Sequence, residues 1–167
     1  ELQHNLIVTH AVCVGAPFAP DVVRAMLAIR INTLMRGHSG IRVSTLQALA
    51  ELLNRDIVPV IPQKGSVGAS GDLAPLSHLA IVVLGGGEAF YKGERIAGAE
   101  ALKRAGLSPL RLSFKEGLAL NNGTTQMLAC AVLALDTLGA LVETADLAAA
   151  MTLDAFAGRG SAFREEV

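Results

Sequence analysis

The sequence has no tryptophan, one tyrosine and two cysteines, and aromatic residues make up only 4% of it. Each scarcity excludes something. Cys13 and Cys130 do not form a disulfide framework, which points to reduced thiols and a cytoplasmic setting. The histidines at 4, 10, 38 and 78 lie in separate segments with no cysteine pair beside them, so no metal is expected. Charged residues make up 17% and the formal net charge is −1, which leaves no basic surplus for a nucleic-acid partner. No run reaches the ~20 uninterrupted apolar residues of a membrane-spanning helix. His78 breaks one apolar stretch, and Asp136, Glu143 and Asp146 break another, so no membrane partner is expected. No signal-peptide pattern is visible.

What is abundant is aliphatic. Hydrophobic residues reach 51% of 167, mostly Ala, Leu, Val and Ile, a palette that favours helices. That length suits one ordinary domain with a core of its own, and residues 1–167 read as a single segment. The apolar surplus reads as surface buried against other subunits or further chain. The chain opens inside an amphipathic pattern at Glu1 and closes on "FREEV", as a piece of a longer protein would.

The pattern predicts a mainly α chain: a long-helix bundle with irregular loops and a small β-hairpin. Helices are expected over 1–14, 21–35, 44–54, 74–84 and 98–105, with Asp21 capping the second and Gly37 stopping it. The prolines of "DIVPVIPQ" force extended backbone there. "EAFYKGERIAG" has a two-residue Lys-Gly centre between β-capable runs, a hairpin signal. Its Tyr91, the single tyrosine, reads as a surface residue. A long helix covers about 124–157. Its acids, Asp136, Glu143, Asp146 and Asp154, fall within an arc of roughly 80° at helical spacing, and the other faces are apolar. A helix of that kind is buried, so partner chains are expected to complete the bundle.

The segment "QKGSVGASGDLAPLSHLA", residues 63 to 80, carries the chemistry. Its glycines at 65, 68 and 71 allow three readings. One is a plain connection. Another is a phosphate cradle on backbone N–H groups, but Asp72 stands where a P-loop has lysine, and a carboxylate there repels phosphate. The third is backbone chemistry on Ala69-Ser70-Gly71. The amide nitrogen of Gly71 attacks the carbonyl carbon of Ala69. Loss of one water there, and of the Ser70 hydroxyl as a second, leaves a methylidene-imidazolone. Gly71 offers an unhindered nitrogen, Ala69 crowds its carbonyl little, and Gly68 and Gly71 permit the sharp turn. Asp72 would assist proton transfer in cyclisation, and it also suits the helix N-terminus that follows.

"GSVGASGDLAPLSHLA" closely resembles the signature of the aromatic amino acid ammonia-lyases, the family of histidine, phenylalanine and tyrosine lyases and the related aminomutases. The likeness extends along the chain through "ELQHNLIVTHAVCVGAP", "IRINTLMRGHSGIR" and "KEGLALNNGT". It implies an inner portion of that family's mostly α-helical fold, a homotetramer, an amino acid substrate, and no external cofactor beyond the ring made from Ala69, Ser70 and Gly71. Thr9-His10 occupies the position that sets side-chain selectivity and is similar to the Ser-His of the histidine branch. His10 would hydrogen-bond a substrate imidazole; without the resemblance it reads as a satisfied core histidine. Asn122 matches the asparagine beside the ring, or else simply caps the next helix, and Leu120 and Gly123 would line the same pocket. Asn121 departs from the family's apolar residue, and "TTQM" places Gln126 one position late. The catalytic tyrosine would precede Glu1, and the arginine for the substrate carboxylate would follow Val167. The histidine branch implies elimination of ammonia from histidine to give urocanate, by the full chain and not by this piece alone. Other aryl amino acid lyases and aminomutases stay open within the family. Outside it stand a phosphate-binding glycine-loop module and a non-catalytic helical assembly piece.

Overall fold

The computed structural model describes residues 1–66 and 70–164. They belong to two compact units, Glu1–Cys130 and Ala131–Val167.

In the first unit the helix just after the glycine loop, Leu73–Val83, sits at the centre. Its sequence is apolar on almost every face, and such a helix is stable only when covered all round. Leu76, Leu79, Ala80 and Val82 have no exposed surface. In chain order it is α4. Before it come α1 (Leu2–His10), α2 (Pro20–Met35) and α3 (Val43–Asn54), and after it α5 (Gly98–Arg104) and α6 (Glu116–Asn121). α1 and α6 each pack on α4 and on each other, while α2 packs on α3. Ile7, Met26, Leu27, Leu49, Leu52, Ile61 and Leu120 complete the core.

The expected elements form, with instructive differences. α1 stops at His10, because residues 11–13 turn the chain into a strand, β1 (Val14–Pro17). α2 starts on Pro20, a residue with no N–H to leave unpaired. Asp21 therefore lies inside the first turn, where its charge suits the helix dipole, and Ala19 takes the capping position. "DIVPVIPQ" is extended but serves two sheets. Its first half is β2 (Val58–Pro59), antiparallel to β4 (Glu88–Tyr91), and its second half is β3 (Pro62–Lys64), antiparallel to β1. β4 and β5 (Glu94–Ala97) form the hairpin. Lys92 and Gly93 both take positive φ, 50° and 82°, as a two-residue turn between right-twisted strands requires. Tyr91, expected at the surface, is 8% exposed: it shares the buried face of β4 with Ala89, and α5 packs on the hairpin.

The long helix α7 runs over Thr125–Ala155. Only Thr125, Gln126 and Ala129 of it are buried. By length and composition alone it is apolar enough to cross a membrane, whereas the sequence predicts no spanning helix because Asp136, Glu143 and Asp146 interrupt the run. Those acids lie along one stripe, and carboxylates facing hydrocarbon are costly.

Candidate active site

Asp72 is the pivot. It has no exposed surface. It occupies the capping position of α4 yet makes no side-chain bond to that helix. Its Oδ2 instead accepts hydrogen bonds from the backbone N–H groups of Gln126 (2.8 Å) and Met127 (3.1 Å), in the first turn of α7. Those N–H groups have no partner within their own helix, so a carboxylate far away in sequence caps α7. Ser66 Oγ donates to Asp72 Oδ1 at 2.9 Å and also lies against the Gly71 carbonyl. Two helix N-termini therefore meet at residues 70–72, and both present partial positive charge there.

Gly71 takes φ +84°, and a Cβ on it would stand 2.7 Å from Met127 Cε. Glycine suits that left-handed backbone, while the contact is with the end of a flexible side chain that can shift. Ser70 is half-buried beside it. Ala69 lies outside the described residues, as does Gly68.

The other candidates stand on α1 and α6. Thr9 Oγ1 donates to Asn5 O (2.8 Å), which ties it to its own helix. His10 Nδ1 is 2.8 Å from Leu6 O, and a carbonyl can only accept, so Nδ1 carries a proton. In the neutral ring Nε2 is then an acceptor. α1 and α6 approach closely because Gly117 has no side chain: a Cβ there would lie 2.9 Å from Gln3 O. The Gly117 N–H donates to Gln3 Oε1 at 2.8 Å.

The start of α6 is fixed by Glu116, 1% exposed. It accepts hydrogen bonds from the Arg42 guanidinium (2.6 and 3.0 Å), the Arg42 N–H, Thr45 Oγ1 (2.7 Å) and the Ser113 N–H (2.6 Å). Burial pushes its pKa up, but these donors outweigh burial and bring it down to about 2. At the other end, Arg30 Nη2 donates to the carbonyls of Ala119 and of Asn122 (2.7 Å), holding the last turn of α6.

Asn122 is exposed at that end and lines a cavity of about 400 Å³ together with Gly123. Leu120, expected with them, points into the core with no exposed surface. The helical period explains the difference. Positions 118 and 122 share a face, and Leu118 lines the cavity, whereas 120 lies on the opposite side. Asn121 is also fully buried; its Nδ2 donates to Ser77 Oγ on α4 at 3.1 Å. His78, also on α4, accepts from the Cys13 N–H at 3.0 Å, and burial lowers its pKa.

Ser66, Gln126, Met127, Thr45 and Cys13 were not legible as parts of this arrangement. All five engage through a backbone N–H or one hydroxyl, and such partners leave no pattern in a sequence.

The histidine ammonia-lyase of Stigmatella aurantiaca is 56% identical over all of this chain and 33% of its own length. The crystal structure of histidine ammonia-lyase from Trypanosoma cruzi superposes with TM-score 0.89 at 41% identity, over 96% of this chain and 32% of that one. Pantoea agglomerans phenylalanine aminomutase superposes with TM-score 0.81 at 46% identity, over 86% and 27%. The chain spans about a third of the length of the curated relatives it matches. The family described as aromatic amino acid lyase matches residues 1–167. With that match along its whole length, the chain belongs to the aromatic amino acid lyase family.

Proposed function

We propose that the full-length protein carrying this chain is an ammonia-lyase that converts histidine to urocanate, with Ala69, Ser70 and Gly71 as the source of its electrophile. One observation carries the reading: Gly71 is held at positive φ where Asp72 joins the N-termini of α4 and α7. The residues present fit a methylidene-imidazolone. Gly71 has the backbone freedom that ring closure needs, and Asp72 stands next to it with a carboxylate able to relay a proton. Once formed, the group supplies an electrophile that withdraws electron density from the substrate and acidifies its β-hydrogen.

The chain's own residues supply position and polarity. The two helix N-termini favour negative charge at 70–72. His10, with its proton on Nδ1, offers Nε2 to the N–H of a substrate imidazole. Thr9 holds the adjoining turn, while Asn122 and Gly123 face the substrate's amino acid end. Leu120 contributes from the core by supporting α6. The family's tyrosine base and carboxylate-binding arginine belong to other parts of the protein. Relatives named histidine ammonia-lyase favour histidine over phenylalanine or tyrosine as substrate. A cytoplasmic homotetramer with no external cofactor is the matching assembly, in which α7 is covered by other copies.

The test is intact mass and activity of the full-length protein. The mass is expected to be lower than the sequence mass by two waters, and Ser70→Ala should restore one water and abolish activity. Absorbance at the urocanate band should rise with histidine and stay flat with phenylalanine and tyrosine. An unshifted mass together with full activity would rule out the electrophile; turnover of phenylalanine but not histidine would overturn the substrate.

A further inference from the structure

The cavity at the C-terminal end of α6 has a charge problem. Arg30, Lys115 and His38 line it, and among the described residues no aspartate or glutamate does. Arg30 is 3% exposed, and its Nε has no hydrogen-bond partner. Among the described residues its acceptors are the carbonyls of Ala119 and Asn122, both on Nη2. Burial lowers its pKa to about 10. A guanidinium taken out of water normally faces a carboxylate or another anion. Lys115 reaches the same cavity from a left-handed backbone position, φ 64°, that lysine rarely adopts. The hydroxyl residues Thr124 and Thr125, where α7 begins, also line it.

We infer that this cavity is an oxyanion site, in which Arg30, Lys115 and His38 hold a carboxylate or phosphate group. Three cationic or proton-donating side chains line one cavity whose described lining, partly apolar, carries no counter-charge. Asn122 and Gly123, which the lyase reading gives to the substrate, also line this cavity, but the charge argument rests on Arg30, Lys115 and His38 and not on that reading. The anion has two sources of the same chemistry: a free oxyanion from solution, or an aspartate or glutamate side chain from the rest of the full-length protein.

The test uses the full-length protein, crystallised without phosphate or sulfate and then soaked in inorganic phosphate, with calorimetric titration of phosphate in parallel. A tetrahedral anion bonded to Arg30 and Lys115, with affinity about tenfold weaker in Lys115→Asn, supports the free source. Asparagine tolerates the left-handed backbone there, so that variant keeps the fold while losing the charge. A side-chain carboxylate already bonded to Arg30 supports the internal source; changing it to the amide should then open the cavity to phosphate. Phosphate in the crystal with unchanged affinity in Lys115→Asn means an adventitious ion only and overturns the inference. So does a cavity filled by water or apolar side chains.

Discussion

Asp72 and Gln126 stand 54 positions apart and are joined by a 2.8 Å hydrogen bond from the Gln126 N–H to the Asp72 carboxylate. The bond fixes the start of α7 to the segment that carries Ser70 and Gly71. Asp72→Ala leaves the Gln126 and Met127 N–H groups without their acceptor, an expected loss of about 2–4 kcal/mol. Urea unfolding of the full-length protein measures it. Asp72→Asn keeps one acceptor oxygen but loses the charge. It is expected to be destabilised by about 1 kcal/mol and to cyclise more slowly, read as a persisting uncyclised mass.

Gly71→Ala meets both a left-handed backbone and Met127 Cε. A destabilisation of about 1–3 kcal/mol is expected, with no loss of water from the tripeptide. The double variant Gly71→Ala, Met127→Ala should recover part of the stability but not the mass change, which separates crowding from backbone strain. Recovery of both would show that crowding alone prevents ring closure.

Glu116 makes stability depend on acid. Its pKa falls from 4.5 unfolded to about 2 folded. The unfolded chain therefore binds the proton more tightly, and the stabilisation is complete above about pH 4.5 and lost as pH falls toward 2. Glu116→Gln should flatten the denaturation profile over that window and cost about 2–3 kcal/mol at neutral pH. A wild-type profile no steeper than the variant's would mean the Arg42 contact does not hold in solution.

His10 separates substrate choice from structure. Its Nδ1 bond to Leu6 stays within α1, so the ring can be replaced with little effect on folding. His10→Phe is expected to lower kcat/KM for histidine by about 10–100-fold with a thermal midpoint close to that of the wild type. Steady-state absorbance assays on histidine and phenylalanine measure it. An unchanged kcat/KM removes His10 from substrate recognition.

Much of the fold could be read from the sequence because its signals are local. The apolar run after Asp72 predicts a buried helix, and Lys92-Gly93 predicts the hairpin turn. What could not be read depends on long-range pairing. β2 and β3 share one extended stretch, and only their distant partners assign them to separate sheets. The same holds at the site. Gly71 and Asp72 stood out by residue type, but nothing local shows that Asp72 caps α7 in place of α4. Nor does anything local show that Leu120 faces the core while Leu118 and Asn122 face the cavity, since the register of so short a helix is set by its long-range packing.

The acidic stripe of α7 has one further consequence. The helix carries four carboxylates along one edge and no lysine, arginine or histidine to answer them. Two copies laid edge to edge along that stripe would bring like charges together. Contact between two such helices would therefore favour the aliphatic faces, Leu138 and Val142 among them, which stand exposed. The stripe acts as a rotational key: it adds no attraction of its own but limits the angles about the helix axis at which another α7 can approach.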